Sequence, residues 1–165
     1  MILKQNLKGK NNYLLFLITV PILLAGTISL LLLPSNNVPE QKTIQQQSSI
    51  LINKASFNIT IADEAEEWSR GLMEIKNLSK NTGMLFIFPD ENIRTFWMKN
   101  TYIPLDMIFM DSKLNIIKIH KNTIPLDTSV LYSSEKPSQY VLEINAGESA
   151  SSNLQIGDVA SLNIE

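Results

Sequence analysis

An uninterrupted apolar run, Tyr13 to Leu33, contains no charged residue and limits every architecture open to this chain. A helix rises about 1.5 Å per residue, so roughly 20 apolar residues cross the hydrocarbon core of a bilayer. A core helix would instead carry a polar stripe. The sequence therefore predicts a transmembrane helix over residues 13–33, with Pro21 and Gly26 tolerated inside it. Lys4, Lys8 and Lys10 precede the run, and no basic residue follows it closely. That asymmetry assigns residues 1–12 to the cytoplasm and the rest of the chain to the far side of a single-pass span. The alternative is a cleaved secretory signal, with Ala25-Gly26-Thr27 as a small enough site, which would leave a secreted protein.

Residues 34–48 change to Ser, Asn, Gln, Pro and Thr, with Glu40 and Lys42 the only charges. Such a stretch buries too little apolar area to offset its ordering entropy, and it reads as a tether reaching roughly 20 Å. Residues 49–165 are long enough for one domain with one core. From Ser49 onward, 10 Lys and Arg face 15 Asp and Glu, a net charge of −5. Phosphate binding depends on clustered cations, so nucleic acid is not an expected partner. The absence of cysteine excludes disulfides, a thioether-linked lipid anchor and thiol nucleophiles.

Within the domain, Phe57, Ile59 and Ile61 alternate with Asn58 and Thr60 and predict a strand with one buried face. Asp63 is placed to cap a helix whose first turn holds Glu64, Glu66 and Glu67, and Gly71 ends it after Arg70. Further strands are expected over Met84–Phe88, closed by Pro89-Asp90-Glu91-Asn92, and over Thr95–Thr101, with Trp97 and Lys99 sharing a face. Leu105–Met110 and Leu114–His120 flank a hairpin turn at Asp111-Ser112-Lys113. Tyr140–Asn145 makes another strand, a short helix follows around Ser149–Gln155, and a last strand ends near Ile164. About seven strands and two short helices predict an antiparallel-rich α+β domain, since parallel units would need longer crossover helices.

Several pieces follow one another in the order of one family pattern: Arg70-Gly71-Leu72-Met73, Gly83-Met84-Leu85-Phe86, Phe96-Trp97-Met98-Lys99-Asn100-Thr101, Ile103-Pro104-Leu105-Asp106, Tyr140-Val141-Leu142-Glu143, Ala146-Gly147 and Gly157-Asp158. On these residues the chain resembles the DUF192 family, also called UPF0127. The resemblance covers nearly all of residues 49–165 and leaves out the anchor and tether. It implies a compact mixed domain with a curved, largely antiparallel sheet, and it implies no established activity. One departure is Glu74, which stands where the family often has a basic residue and removes support for an anion site there.

The candidate site residues are Arg70, Trp97, Lys99, Asn100, Asp106 and Glu143. Arg70 can bind a carboxylate or phosphate through two parallel hydrogen bonds, or pair internally with Asp106 or Glu143. Trp97 and Lys99 can hold a sugar ring or peptide, or cover a sheet edge. Asn100 is expected to support a turn. Asp106 and Glu143 can act as an acid and base pair, or take part in an internal network. His120 is the sole histidine and no nucleophile elbow accompanies it, so neither a Ser-His-Asp triad nor a zinc shell is expected. Met73, Met84, Met98, Met107 and Met110 suit copper(I), but they are spread as gap-filling core residues are, and no cofactor is expected.

The leading expectation is a membrane-tethered, extracytoplasmic binding or accessory domain of a prokaryotic envelope, held by residues 13–33 and recognising a small molecule, glycan or protein. The alternatives are an envelope hydrolase using Asp106 and Glu143, and a polar network with a structural role alone.

Overall fold

The computed structural model describes residues 47–164. The basic segment 1–12, the expected transmembrane helix 13–33 and all but the last two residues of the tether lie outside them. Among the described residues no helix is long and apolar enough to cross a membrane.

The strands are β1 Ser49–Ile52, β2 Ala55–Ala62, β3 Thr82–Phe96, β4 Leu105–Met110, β5 Ile116–His120, β6 Tyr132–Asn145 and β7 Ala160–Asn163. Two short helices, α1 Ala65–Arg70 and α2 Glu148–Ser151, complete the set. One sheet holds all seven strands in the order β5-β4-β6-β3-β2-β1-β7. Its pairings are antiparallel except for β2 with β3, so the sheet is mixed. The connection that carries α1 is long enough to return the chain for that parallel pairing. Curvature brings the two outer strands toward each other: Asn115 bridges Val159, and the N–H groups of Ile116 and Ala160 reach the carbonyls of Asp158 (2.8 Å) and Leu114 (2.9 Å). Both edges are thereby partly covered, which protects them from pairing with another chain.

Both faces of the central strands are packed. On the enclosed face all seven strands contribute, with Ile50, Phe57, Leu85, Ile108, Ile116, Leu142 and Ala160 among the core. The outer face gathers Phe86, Met98, Leu105, Met107, Phe109 and Val141 from β3, β4, β6 and the loop after β3, under Trp68 and Leu72. Every residue of β4 is consequently buried. Met107 and Met110 fall in different cores, so the two methionines nearest in sequence do not form a shared site.

Four readings of the elements are corrected. Ser49–Ile52 is a strand, although its place at the tether boundary hid it. Pro89-Asp90-Glu91-Asn92 does not end a strand, because β3 continues to Phe96 through a register shift between Ile87 and Asn92, where a proline is tolerated. Thr95–Thr101 is not a strand: β3 ends at Phe96 and the chain crosses the outer face as a loop to Leu105. At α1, Glu64 rather than Asp63 takes the cap position, and the Glu67 carboxylate accepts both of their N–H groups at 3.2 and 3.0 Å.

Asp106 fastens one end of the sheet. Its Oδ1 accepts the Asn122 N–H at 2.9 Å, and its Oδ2 accepts the N–H groups of Gly147 and Ser149 at 3.0 Å and the Ser149 hydroxyl at 2.6 Å. One buried carboxylate thus joins β4, the β5–β6 connection and the turn into α2. Asp106→Asn puts an amide N–H against donors and should lower stability by about 3 kcal/mol. Urea unfolding would show this as a lower midpoint at unchanged slope, and an unchanged midpoint would refute the assignment.

Candidate functional site

The strand register places Glu143. It stands opposite Met84 on β3 and opposite Met107 on β4, so it points to the outer face, while Asp106 stands opposite Ile144 and points to the enclosed one. The two acids expected to form a pair are therefore on opposite sides of the sheet. With the Asp106 carboxylate also occupied by four hydrogen bonds, the paired-carboxyl arrangement is absent.

Glu143 is buried, 4% exposed, and its carboxyl makes no hydrogen bond or ion pair among the described residues. Burial disfavours the charged form and pushes its pKa from 4.5 up to about 8. The backbone of Gly71 lies directly over it: a Cβ there would come within 3.9 Å of Glu143 Oε2 and 3.1 Å of Phe86 Cζ. Gly71 also has φ +49°, so sterics and backbone conformation both favour glycine.

Glu143 borders a recess of about 30 Å³ shared with Gly71, Trp97 and Thr101, room for one water or a single small polar group. Trp68, Ser69, Phe96 and Trp97 also border a larger cleft of about 450 Å³, which extends to Ile93 and Arg94. On the other side, residues 70–73 form a wall common to the recess and a hollow of about 600 Å³. The floor is aromatic: Phe96 packs edge-on against Phe86, Phe88 and Phe109, and Trp68 lies 5.0 Å from Phe88.

The expected residues separate as follows. Arg70 ends α1 and is exposed, and its guanidinium makes no hydrogen bond or ion pair among the described residues, so the expected pairing with Asp106 or Glu143 is not formed. Trp97 is half-exposed, with Lys99 Nζ 5.1 Å from its ring centre. A turn, not strand alternation, brings those two together, and a cation–π contact holds them. Asn100 has φ +53° and offers its carbonyl to the Glu74 N–H at 2.8 Å, so its backbone rather than its side chain makes the turn. Glu74 itself lines the outer hollow. Asp106 belongs elsewhere.

Sequence reasoning missed Trp68, Gly71, Arg94 and Thr101. The signal for Trp68 was an aromatic inside an otherwise charged helix. Arg94 stacks 4.1 Å over Phe88 and donates to the Ser138 carbonyl, so its guanidinium is already engaged. His120 packs between Phe109 and Tyr132 with Nε2 2.8 Å from the Ser133 carbonyl, a structural placement.

The native state holds one more proton than the unfolded chain between pH 4.5 and about 8 because of Glu143. Its contribution is complete below 4.5 and is lost as pH rises toward 8, at up to about 1.4 kcal/mol per pH unit. Glu143→Gln cannot ionise and should flatten that decline. Parallel slopes for the two proteins in urea titrations from about pH 5 to about pH 8 would rule out a buried, proton-holding carboxyl.

Residues 48–162 match the model of DUF192, described as an uncharacterized ACR. A crystal structure from Sinorhizobium meliloti 1021, of a protein provisionally named a transcription regulator, is 32% identical with a TM-score of 0.67, covering 70% of this chain and 92% of that one. A protein of unknown function from Novosphingobium aromaticivorans DSM 12444 is 31% identical with a TM-score of 0.66, covering 68% of this chain and 83% of that one. No curated protein matches.

Proposed function

This chain belongs to the DUF192 family, and we propose that it works as a membrane-anchored, extracytoplasmic binding domain whose ligand enters the cleft beside Trp97. The anchor is residues 13–33, residues 34–48 are the tether, and the domain faces the envelope. The observation that carries the binding role is Glu143: a buried carboxyl without a partner among the described residues, bordering a recess that adjoins an open cleft. Buried polar groups in folded proteins are ordinarily satisfied, and a carboxyl with no partner among the described residues, in a recess beside an open cleft, is placed to meet a water or a ligand group. In its protonated form Glu143 donates a hydrogen bond to a carbonyl or hydroxyl oxygen. Arg70, which borders the recess and makes no ion pair among the described residues, supplies a charged donor for an anionic group, and the Trp97 ring supplies an apolar face.

No group in the cleft supports a nucleophilic or metal-assisted reaction, so binding rather than hydrolysis fits its chemistry. The purely structural reading describes Asp106 well and Glu143 poorly. The name given to the Sinorhizobium neighbour does not carry over on charge: 10 Lys and Arg against 15 Asp and Glu from Ser49 onward provide no cationic surface for a phosphate backbone.

The chain has two tryptophans, Trp68 and Trp97, and both line the cleft, so intrinsic fluorescence reports on it without a label. Titration with neutral and acidic oligosaccharides and short peptides of envelope type should find a class that shifts the emission. Arg70→Ala, at an exposed position, should weaken that binding about tenfold while leaving the unfolding midpoint unchanged. Trp97→Ala should remove it. If both variants bound every responding ligand as the parent does, the cleft would not be the binding site.

A further inference from the structure

Six of the large apolar side chains exposed among the described residues lie in two connections: Trp97 and Tyr102 between β3 and β4, and Ile124, Leu126, Val130 and Leu131 between β5 and β6. Ile124, Leu126 and Leu131 are 56%, 54% and 62% exposed. The two loops are fastened to each other. The Leu126 N–H reaches the Thr101 carbonyl at 3.0 Å, the Met98 N–H reaches the Asp127 carbonyl at 3.2 Å, and the Thr123 N–H reaches the Leu105 carbonyl at 2.9 Å. The Ile124 N–H meets the Tyr132 hydroxyl at 3.0 Å, and the Asp127 carboxylate accepts the Ser129 N–H and hydroxyl.

Two features set this ridge apart from ordinary exposed residues. The N–H groups of Thr123, Ile124, Leu126, Asp127 and Ser129 are all satisfied internally, which lowers the cost of removing water from that stretch. And Leu126 has φ +61°, a left-handed conformation costly for any residue with a Cβ and shared by the core-packed Leu114, but here taken by a side chain that is exposed. A strained backbone here holds out a leucine that contributes nothing to either core.

We propose that this ridge rests on the bilayer interface, with Ile124, Leu126 and Leu131 at acyl-chain depth and Trp97 and Tyr102 at headgroup level. The occupant follows from the chain outside the structure: the tether of residues 34–48 enters at β1, and a reach of roughly 20 Å keeps the domain within contact of the membrane that holds residues 13–33. Aromatic rings with apolar bodies and polar tips suit the headgroup layer, and the flanking Lys99 and Lys121 suit anionic lipid. Asp127, the carboxylate within the ridge, is held ionised below its ordinary range by the Ser129 hydrogen bonds, so it belongs at the level of the polar headgroups. The inference rests on the anchoring proposed above and is independent of what the cleft binds.

The chain has no cysteine, so Leu126→Cys and Ser161→Cys, the latter exposed on β7, each give one labelling site for a polarity-sensitive fluorophore. Full-length protein would be reconstituted into phosphatidylcholine–phosphatidylglycerol vesicles and floated. The label at 126 should emit at shorter wavelength, be quenched by brominated acyl chains and be shielded from aqueous iodide, and the label at 161 should behave oppositely. Adding Ile124→Asp and Leu131→Asp should return the label at 126 to aqueous behaviour without preventing flotation. Floating protein with indistinguishable labels at 126 and 161 would overturn the docking alone, as would a ridge that meets a protein rather than lipid. Protein that does not float would overturn anchoring and docking together.

Discussion

The register between β4 and β6 is the constraint on which the rest of the structure depends. Both strands are packed on both faces, so alternation sends each side chain either into the enclosed core or onto the outer face. Leu105 opposite Asn145 sets Asp106 beside Ile144 and Met107 beside Glu143. A slip of one residue would exchange the faces of every side chain in the slipped strand. Asp106 would lose the N–H groups of Gly147 and Ser149, and the outer cluster would receive side chains shaped for the other core. Because four donors meet Asp106 in the observed register, its hydrogen bonds favour that pairing as well as stabilise it.

The same register makes Glu143 expensive, and the surroundings show how the cost is contained. Between Met84 and Met107, beneath Gly71, an ionised carboxylate would be desolvated without a compensating charge, so the group stays protonated through neutral pH. A leucine would pack the same space with no such penalty. Gly83, on the neighbouring strand, is as constrained as Gly71, since a Cβ there would lie 2.5 Å from the Glu143 carbonyl oxygen. Backbone is thus drawn close around this residue from two directions. The contact at Gly83 is with the strand backbone, while the one at Gly71 is with the carboxyl itself.

How much of this was legible in the sequence depends on whether local pattern or long-range pairing decided the matter. Alternation and turn chemistry located β2, β4, β5 and the helix ending at Gly71, because those signals are local. The count of seven strands came out right partly for other reasons, with β1 overlooked and a separate strand assigned to Thr95–Thr101, of which Thr95 and Phe96 end β3 and the rest is a loop. The tetrapeptide Ile-Pro-Leu-Asp makes the limit concrete. At residues 103–106 its Leu and Asp are buried in β4, whereas at 124–127 Leu126 is exposed and Asp127 merely closes a turn onto Ser129. Identical local sequence takes both fates because β6 is available to pair with the first copy and not with the second. For the candidate site, composition identified Trp97, Lys99, Arg70 and Glu143 as unusual, yet only the register could separate Asp106 from them.

The loop from Trp97 to Pro104 has a part in both proposals. Its side chains Trp97 and Thr101 line the recess at Glu143, and its carbonyls at Asn100 and Thr101 hold Glu74 on one side and Leu126 on the other. Glu74 continues the wall formed by residues 70–73, and Leu126 is the centre of the apolar ridge. Two discrete hydrogen bonds therefore connect the ridge to the rim of the cleft through one short segment. The segment is therefore a structural part of both the wall of the recess and the base of the ridge. The two proposals thus share one segment but stand on separate observations, the carboxyl in the recess for one and the exposed loops for the other.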